Sequence, residues 1–360
     1  MRLFGTALAL ILAGNGYAAE VTDMPLELQG ALGVTYGGFA EWGALEESSV
    51  NIGQRRISRH DLLWDLEFAP VDGMALRVSL DQTAALTYSY PSSRTMLLEP
   101  VDGGGTYLLD SATQDDSVSG SGLNGVWIGA AFSPFNERYD RGQKSTWRLD
   151  GAFRTGSAAK NLWVAKDGKR GSAPGGTALR FTLATSQDLG AGNPWIQLNY
   201  QRENPFTADL VDESGTVWAT GVDLQPASTL SARAGCEVVT STDEDLQSRY
   251  AVDFYLGFDY RTWEDVSSGV YLPNVLDAGK QIAMTHGERI DARGGIAVDF
   301  QFNSHVRART GPEVVVHTPV MLEHSYDVMT RPANLGIAWS FTLDGLAQIQ
   351  KNEPKADALD

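Results

Sequence analysis

The chain has 360 residues, with 45 acidic against 28 basic side chains, a formal net charge of -17 and a single cysteine. That acidity excludes a nucleic-acid backbone as partner, because such binding needs clustered Lys and Arg. One cysteine excludes an internal disulfide framework and paired-cysteine zinc sites, and beyond residue 19 no apolar run approaches the roughly 18 residues of a spanning helix.

Read from the start, Arg2 is followed by the apolar run Leu3 to Ala13 and then by Gly14-Asn15-Gly16. A short positive start, a brief apolar run and small residues at Gly16-Tyr17-Ala18 are the pattern of an export signal, with cleavage expected after Ala18 or Ala19. Cys236 is far from that point, so a lipid-modified N-terminus is not expected. From there the dominant period is two. Leu179, Phe181 and Leu183 alternate with Arg180, Thr182 and Ala184; Phe254, Leu256 and Phe258 alternate with Asp253, Tyr255, Gly257 and Asp259. Strict alternation predicts strands with one apolar and one polar face. Twelve such segments are expected, over 31–42, 57–69, 74–90, 123–133, 146–156, 177–186, 195–202, 228–239, 249–263, 288–302, 306–318 and 334–341. Most match the 9–11 residues of a tilted membrane-spanning strand.

The connections sort by length. Pro70-Val71-Asp72-Gly73 and Asn303-Ser304-His305 are tight turns, and 187–194 and 240–248 are short; 134–145 is intermediate. The connections after odd-numbered segments are longer, the largest being 91–122 with Gly103-Gly104-Gly105 and Ser119-Gly120-Ser121-Gly122. Short turns on one side and long loops on the other mark an outer-membrane barrel, whereas the loops of a soluble sandwich need not sort. Aromatic residues near strand ends (Tyr88, Tyr90, Phe132, Trp147, Trp195, Tyr260, Trp263, Phe302, Trp339) suit interfacial girdles. The last segment, Leu335, Ile337, Trp339 and Phe341, resembles the closing strand that barrel assembly machinery recognises. The expected organisation is a signal peptide over 1–19, an all-β closed antiparallel transmembrane barrel over 20–341, and an acidic periplasmic tail over 342–360, in the outer membrane of a Gram-negative cell.

The polar face carries the candidate pore-lining residues: Asp65, Glu67, Arg77, Asp81, Arg148, Asp150, Arg154, Arg180, Arg233, Glu237, Asp253, Asp259, Arg261, Arg289, Asp291, Arg293, Asp299, Arg307, Arg309 and Glu313. Every basic member is arginine, while the lysines fall in connections or the tail. A planar, permanently charged guanidinium can bridge two carboxylates and tolerates partial burial. Interleaved Arg and Asp/Glu can line a narrow wet pore, or fill the interior with ion pairs so that little passes. Small residues at Gly129, Ala131, Gly151 or Ala152, Gly235, Gly257, Gly295 and Ala297 leave room for the first reading, and an inward fold of 91–122 would constrict it.

Ser119-Gly120-Ser121-Gly122-Leu123, then Val126-Trp127-Ile128-Gly129-Ala130-Ala131-Phe132, then Arg154-Thr155-Gly156 resemble the transporter-type barrels of the meta pathway of phenol degradation. Leu123 stands where that family has Asp, and Arg154 where it has Pro. The resemblance implies uptake of small molecules, apolar ones among them, and supplies no site residues. An outer-membrane lipid hydrolase needs Ser beside His on the outer face; none of His60, His286, His305, His317 and His324 lies in such a cluster, and Arg59-His60-Asp61 has no neighbouring nucleophile. His286, His317 and His324, with Glu323 and Asp327, are expected as solvated residues of the long-loop rim, and Asp110, Asp115 and Asp116 as a solvated acidic loop. No catalytic residue, metal or cofactor is expected. The expected partners are outer-membrane lipid and lipopolysaccharide, the assembly machinery and a small solute; the alternative to a channel is a non-conducting barrel whose long loops engage a partner.

Overall fold

The computed structural model describes residues 22–47, 50–91, 98–100, 107–109, 115–136, 145–156, 176–189, 192–211, 217–243, 248–262, 265–266, 285–286, 288–303, 305–323, 328–331 and 334–348. Twelve long strands form the barrel: β1 (Gln29–Glu47), β2 (Val50–Val71), β3 (Met74–Pro91), β4 (Asp115–Phe132), β5 (Ser145–Thr155), β6 (Ala178–Gln187), β7 (Asn193–Glu203), β8 (Thr229–Asp243), β9 (Ser248–Arg261), β10 (Arg289–Gln301), β11 (Val306–His317) and β12 (Asn334–Gln348). Each pairs antiparallel with its neighbours in sequence, and β1 pairs with β12 from Gln29↔Gln348 to Trp42↔Leu335. The ring therefore has no free edge, which satisfies the backbone polar groups without water.

Alternation decides which way each side chain points, and the distribution is inverted relative to a soluble protein. Leu32, Leu66, Leu76, Phe181, Ile196, Phe254, Leu256 and Ile337 are exposed on the outside. Most buried positions are small, polar or charged, among them Ala69, Ala178, Ala184, Glu237, Asp253 and Asp291. An apolar outer wall this continuous is intolerable in water and natural in hydrocarbon. The two stacked sheets of a sandwich would have placed these same residues face to face.

The short turns lie on one side. Asp72 and Gly73 join β2 to β3, with Gly73 at φ 77°, a conformation that a side chain opposes. On the same side β6 ends at Gln187 and β7 begins at Asn193, β8 ends at Asp243 and β9 begins at Ser248, and β10 ends at Gln301 and β11 begins at Val306. On the other side several strands run further than the apolar pattern indicates. After β1 a long loop is expected, yet β1 and β2 continue to Glu47 and Val50, which pair with each other. β2 has 22 residues; at about 3.3 Å per residue and about 40° tilt it rises roughly 55 Å, twice the ~25 Å apolar belt. The excess stands in water, where the ladder persists without apolar alternation. β4 likewise begins at Asp115, so Ser119-Gly120-Ser121-Gly122 lies in the strand, paired with β3 (Thr87↔Ser119, Thr83↔Gly122). The strands Val320–Glu323 and Val328–Arg331 extend this end of β1 through Glu46↔Thr330 and Glu47↔Met329.

β12 does not stop at Phe341 but runs to Gln348, so residues 342–348 belong to the barrel and not to the tail. Leu343 still faces outward and Asp344 inward, so the alternation outlasts its last aromatic. Trp195, expected in the outer girdle, is buried in the lumen and donates from Nε1 to Asp253 Oδ1 at 2.9 Å. Its outward neighbours Ile196 and Leu198 fix that parity. Trp147, Phe132, Phe302 and Trp339 do face outward; Tyr88, Tyr90 and Trp263 lie outside the described side chains.

Candidate functional site

The inner wall is a set of ion-pair networks between strands. Near the short-turn end, Arg77 donates from Nε to Asp65 Oδ1 at 2.8 Å, and Ser79 donates to the same oxygen at 2.7 Å. Arg148 reaches from β5 to Glu67 on β2 at 3.2 Å and to Asp150 at 2.9 Å. Arg307 holds Asp299 at 2.8 and 3.0 Å, and Arg249 pairs with Glu237. Arg309 reaches past β10 to Asp253 on β9 at 2.8 Å. Higher up, Arg293 joins Asp259 and Glu313 (2.5 Å to the latter), and the Tyr255 hydroxyl donates to Glu313 at 3.0 Å. At the long-loop end Arg154 pairs with Glu203 and Arg289 with Asp291 at 3.0 Å, while Arg261 lies opposite Arg289 in the register. Asp81 accepts from the Asn124 amide at 3.1 Å.

Every candidate pore-lining residue is thus buried or half-buried, and none lies on the exposed outer wall. Arg180 and Arg233 are half-buried but, among the described residues, have no ion-pair partner. The Arg180 guanidinium sits over the Trp127 ring at 4.5 Å from its centroid. Gly125, at φ 146°, lets the aliphatic stem of Arg154 cross it; a Cβ there would meet that stem at 2.8 Å. Three of the glycines expected to leave open space do not: Trp195 covers Gly235, the Arg233 stem covers Gly257 and the Tyr255 ring covers Gly295. Ala131 packs under Met24. A glycine in a strand invites the large cross-strand neighbour to fold over it, so small residues here mark close approach and not vacancy.

Several residues of the site escaped the sequence reading. Residues 22–28 fold back across the short-turn mouth. Thr22 Oγ1 lies 2.7 Å from Ser186 Oγ on β6, Arg148 donates to the Asp23 carbonyl, and Asp23 Oδ2 lies 3.3 Å from Arg307 on β11. The Leu28 N–H donates to the Ala69 carbonyl at 2.8 Å before β1 begins. Asp23, Met24 and Pro25 thereby floor a lumenal cavity of about 560 Å³, whose walls include Asp65, Arg77, Arg180, Arg233 and Asp344.

His317 is also corrected. It is the last residue of β11, buried in the lumen and not solvated on the rim. Its Nδ1 lies 2.6 Å from Asp291 Oδ1 and its Nε2 3.3 Å from Glu41, to which Asn334 donates at 2.7 Å. Parity again explains it, since Val314 and Val316 face outward. His286 sits in the strand Thr285–His286 paired with Val320–Glu323, which also holds Glu323; His324, Asp327 and Asp110 lie outside the described residues, and Asp115 and Asp116 begin β4. Among the described residues no three His, Cys, Asp or Glu side chains converge on a common metal position. His60 is stacked with Tyr36, whose hydroxyl lies 3.1 Å from its Nδ1, and is edge-on to Trp339; no described serine hydrogen-bonds it.

An apolar outer wall, a closed antiparallel ring and an ionic interior define a transmembrane β-barrel of the outer-membrane type. Among solved structures, an outer-membrane channel from Pseudomonas putida F1 is similar, with a TM-score of 0.51 and 10% identity over 91% of this chain and 100% of that one. A FadL homologue of Pseudomonas aeruginosa has a TM-score of 0.40 at 12% identity over 89% of this chain and 90% of that one. The P. putida toluene transporter TodX has a TM-score of 0.38 at 10% identity, over 96% and 95%. No family model and no curated protein matches the chain, so the likeness to the phenol-degradation barrels rests on the quoted residues alone.

Proposed function

We propose that the chain is an exported protein that lets a small solute pass passively across the outer membrane through its charge-mixed lumen. The observation that carries this reading is the lumenal cavity of about 560 Å³, lined by paired and unpaired charged side chains inside an apolar wall. Polar lumens wrapped in hydrocarbon-facing residues conduct when their constriction stays hydrated. The fold shared with an outer-membrane channel is in keeping with it. Its surroundings on this reading are outer-membrane lipid and lipopolysaccharide on the apolar wall, with assembly machinery acting on β12. Purified protein in planar bilayers is expected to give discrete conductance steps. Bilayers that stay silent at every voltage and salt concentration tested refute the proposal.

One observation favours the second reading, a non-conducting barrel whose long loops engage a partner. Residues 22–25 lie across one mouth, tied to β5, β6 and β11. On that reading, deleting residues 106–117 abolishes partner binding and leaves outer-membrane permeability unchanged.

A further inference from the structure

We infer that the lumenal wall formed by β6, β7 and β8 is a binding station for small organic carboxylates, with Arg180 and Arg233 as its anion ligands. The inference deepens the channel reading and rests on it for its role in passage, though binding itself is measurable without conductance.

The cavity is lined by six arginines and five carboxylates. Arg77, Arg148, Arg307 and Arg309 are each committed to a carboxylate. Arg180 and Arg233 remain, and the wall that carries them offers nothing to neutralise them. Inward from Glu203 at the loop end to Glu237 at the turn end, this wall presents Arg180, Thr182, Gln197, Asn199, Ser231 and Arg233. Thr182, Asn199 and Ser231 form one row across the three strands. Arg180 stands on the loop side of that row and Arg233 on the turn side, so the two make successive steps along the lumen. The Thr182 hydroxyl donates to Asn199 Oδ1 at 3.0 Å, which leaves the Asn199 amide N–H groups as donors between the steps.

A guanidinium in a lumen with no counter-ion is a costly arrangement that an incoming anion relieves. Carboxylate is the ligand whose two oxygens match the planar fork of donors. The contact with the Trp127 ring holds the Arg180 guanidinium against the wall without using a carboxylate. The carboxylates across the cavity are largely spoken for: Asp65 by Arg77, Glu67 and Asp150 by Arg148, and Asp23 by Arg307. Of the lining carboxylates, Asp344 alone has no described ion pair, so two unpaired guanidinium groups face one unpaired carboxylate.

The test is benzoate titrated calorimetrically into the detergent-solubilised full chain, and into Arg180→Gln/Arg233→Gln, with heat-modifiable gel mobility reporting the folded barrel. Saturable binding to the parent that weakens at least tenfold in the double variant supports the station. Equal affinity in both proteins, or no binding to the parent up to 50-fold the protein concentration at millimolar protein, overturns it. Should the double variant not fold, Arg180→Lys/Arg233→Lys keeps both charges and removes the forks; binding must then weaken severalfold, and unchanged affinity overturns the assignment. In bilayers, benzoate should reduce the chloride current of the parent and not of the double variant. A conducting parent that benzoate does not touch sinks the station and leaves the channel standing, whereas calorimetric binding with silent bilayers sinks the channel and leaves the station.

Discussion

Leu256→Arg separates an outer wall in hydrocarbon from one in water. Leu256 is 73% exposed and points outward from β9 between Phe254 and Phe258. It lies eight residues from Ser248 and five from Arg261. At about 3.3 Å per residue and about 40° tilt it is roughly 20 Å from one strand end and about 13 Å from the other, near the middle of a ~25 Å belt. Arginine at that depth costs about 2–4 kcal/mol, reduced somewhat if the side chain snorkels. This corresponds to about a thirtyfold to several-hundredfold fall in the folding equilibrium. In water the same exposed position would tolerate the change within about 0.5 kcal/mol. The assay is urea unfolding from phospholipid vesicles, followed by tryptophan fluorescence. A variant as stable as the parent in vesicles would refute the membrane-facing assignment of the whole outer wall, because the exposed apolar residues within the strands share its face.

Three further outcomes follow from the lumen. Arg148→Ala leaves Glu67 and Asp150 facing each other without their shared cation and should destabilise the barrel by about 3–5 kcal/mol in the same unfolding assay; adding Glu67→Leu should recover part of the loss. Deleting residues 22–25 removes the floor tied to Ser186, Arg148 and Arg307, so unit conductance in bilayers should rise; an unchanged step places the solute path elsewhere. Gly125→Ala puts a side chain at φ 146° against the Arg154 stem and should cost about 1–3 kcal/mol, read as a lower thermal midpoint by gel mobility.

Period-two alternation made the barrel legible because a strand between lipid and water must sort its side chains at every step. Phe181 outside and Arg180 inside is one instance of a rule that also placed Arg293 and Asp299. The rule failed where residue type was allowed to outweigh parity: Trp195 went to the girdle by chemistry, although Ile196 beside it already required an inward tryptophan. His317 was lost in the same way. The strand extents of β1, β2 and β4 were not legible, since above the bilayer backbone pairing alone extends them and leaves no apolar signature. Nor was the leading segment, because Thr22, Asp23 and Met24 have no period and their partners are contacts of distant sequence, such as Thr22 with Ser186. Which arginines stay unpaired is likewise a three-dimensional fact: Arg148 meets Glu67 across 81 positions of chain.

The seam between β1 and β12 has a consequence for how this molecule comes into being. Gln29 is bonded to Gln348 and Trp42 to Leu335, so the earliest part of the barrel acquires its second neighbour only from the latest. Until the C-terminal stretch has been made and delivered, β1 retains an open row of amide and carbonyl groups, and no shorter piece can enter a bilayer with its backbone satisfied. Completion of the whole polypeptide must therefore precede insertion, and loss of the final strand is expected to leave an aggregating chain in place of a smaller barrel.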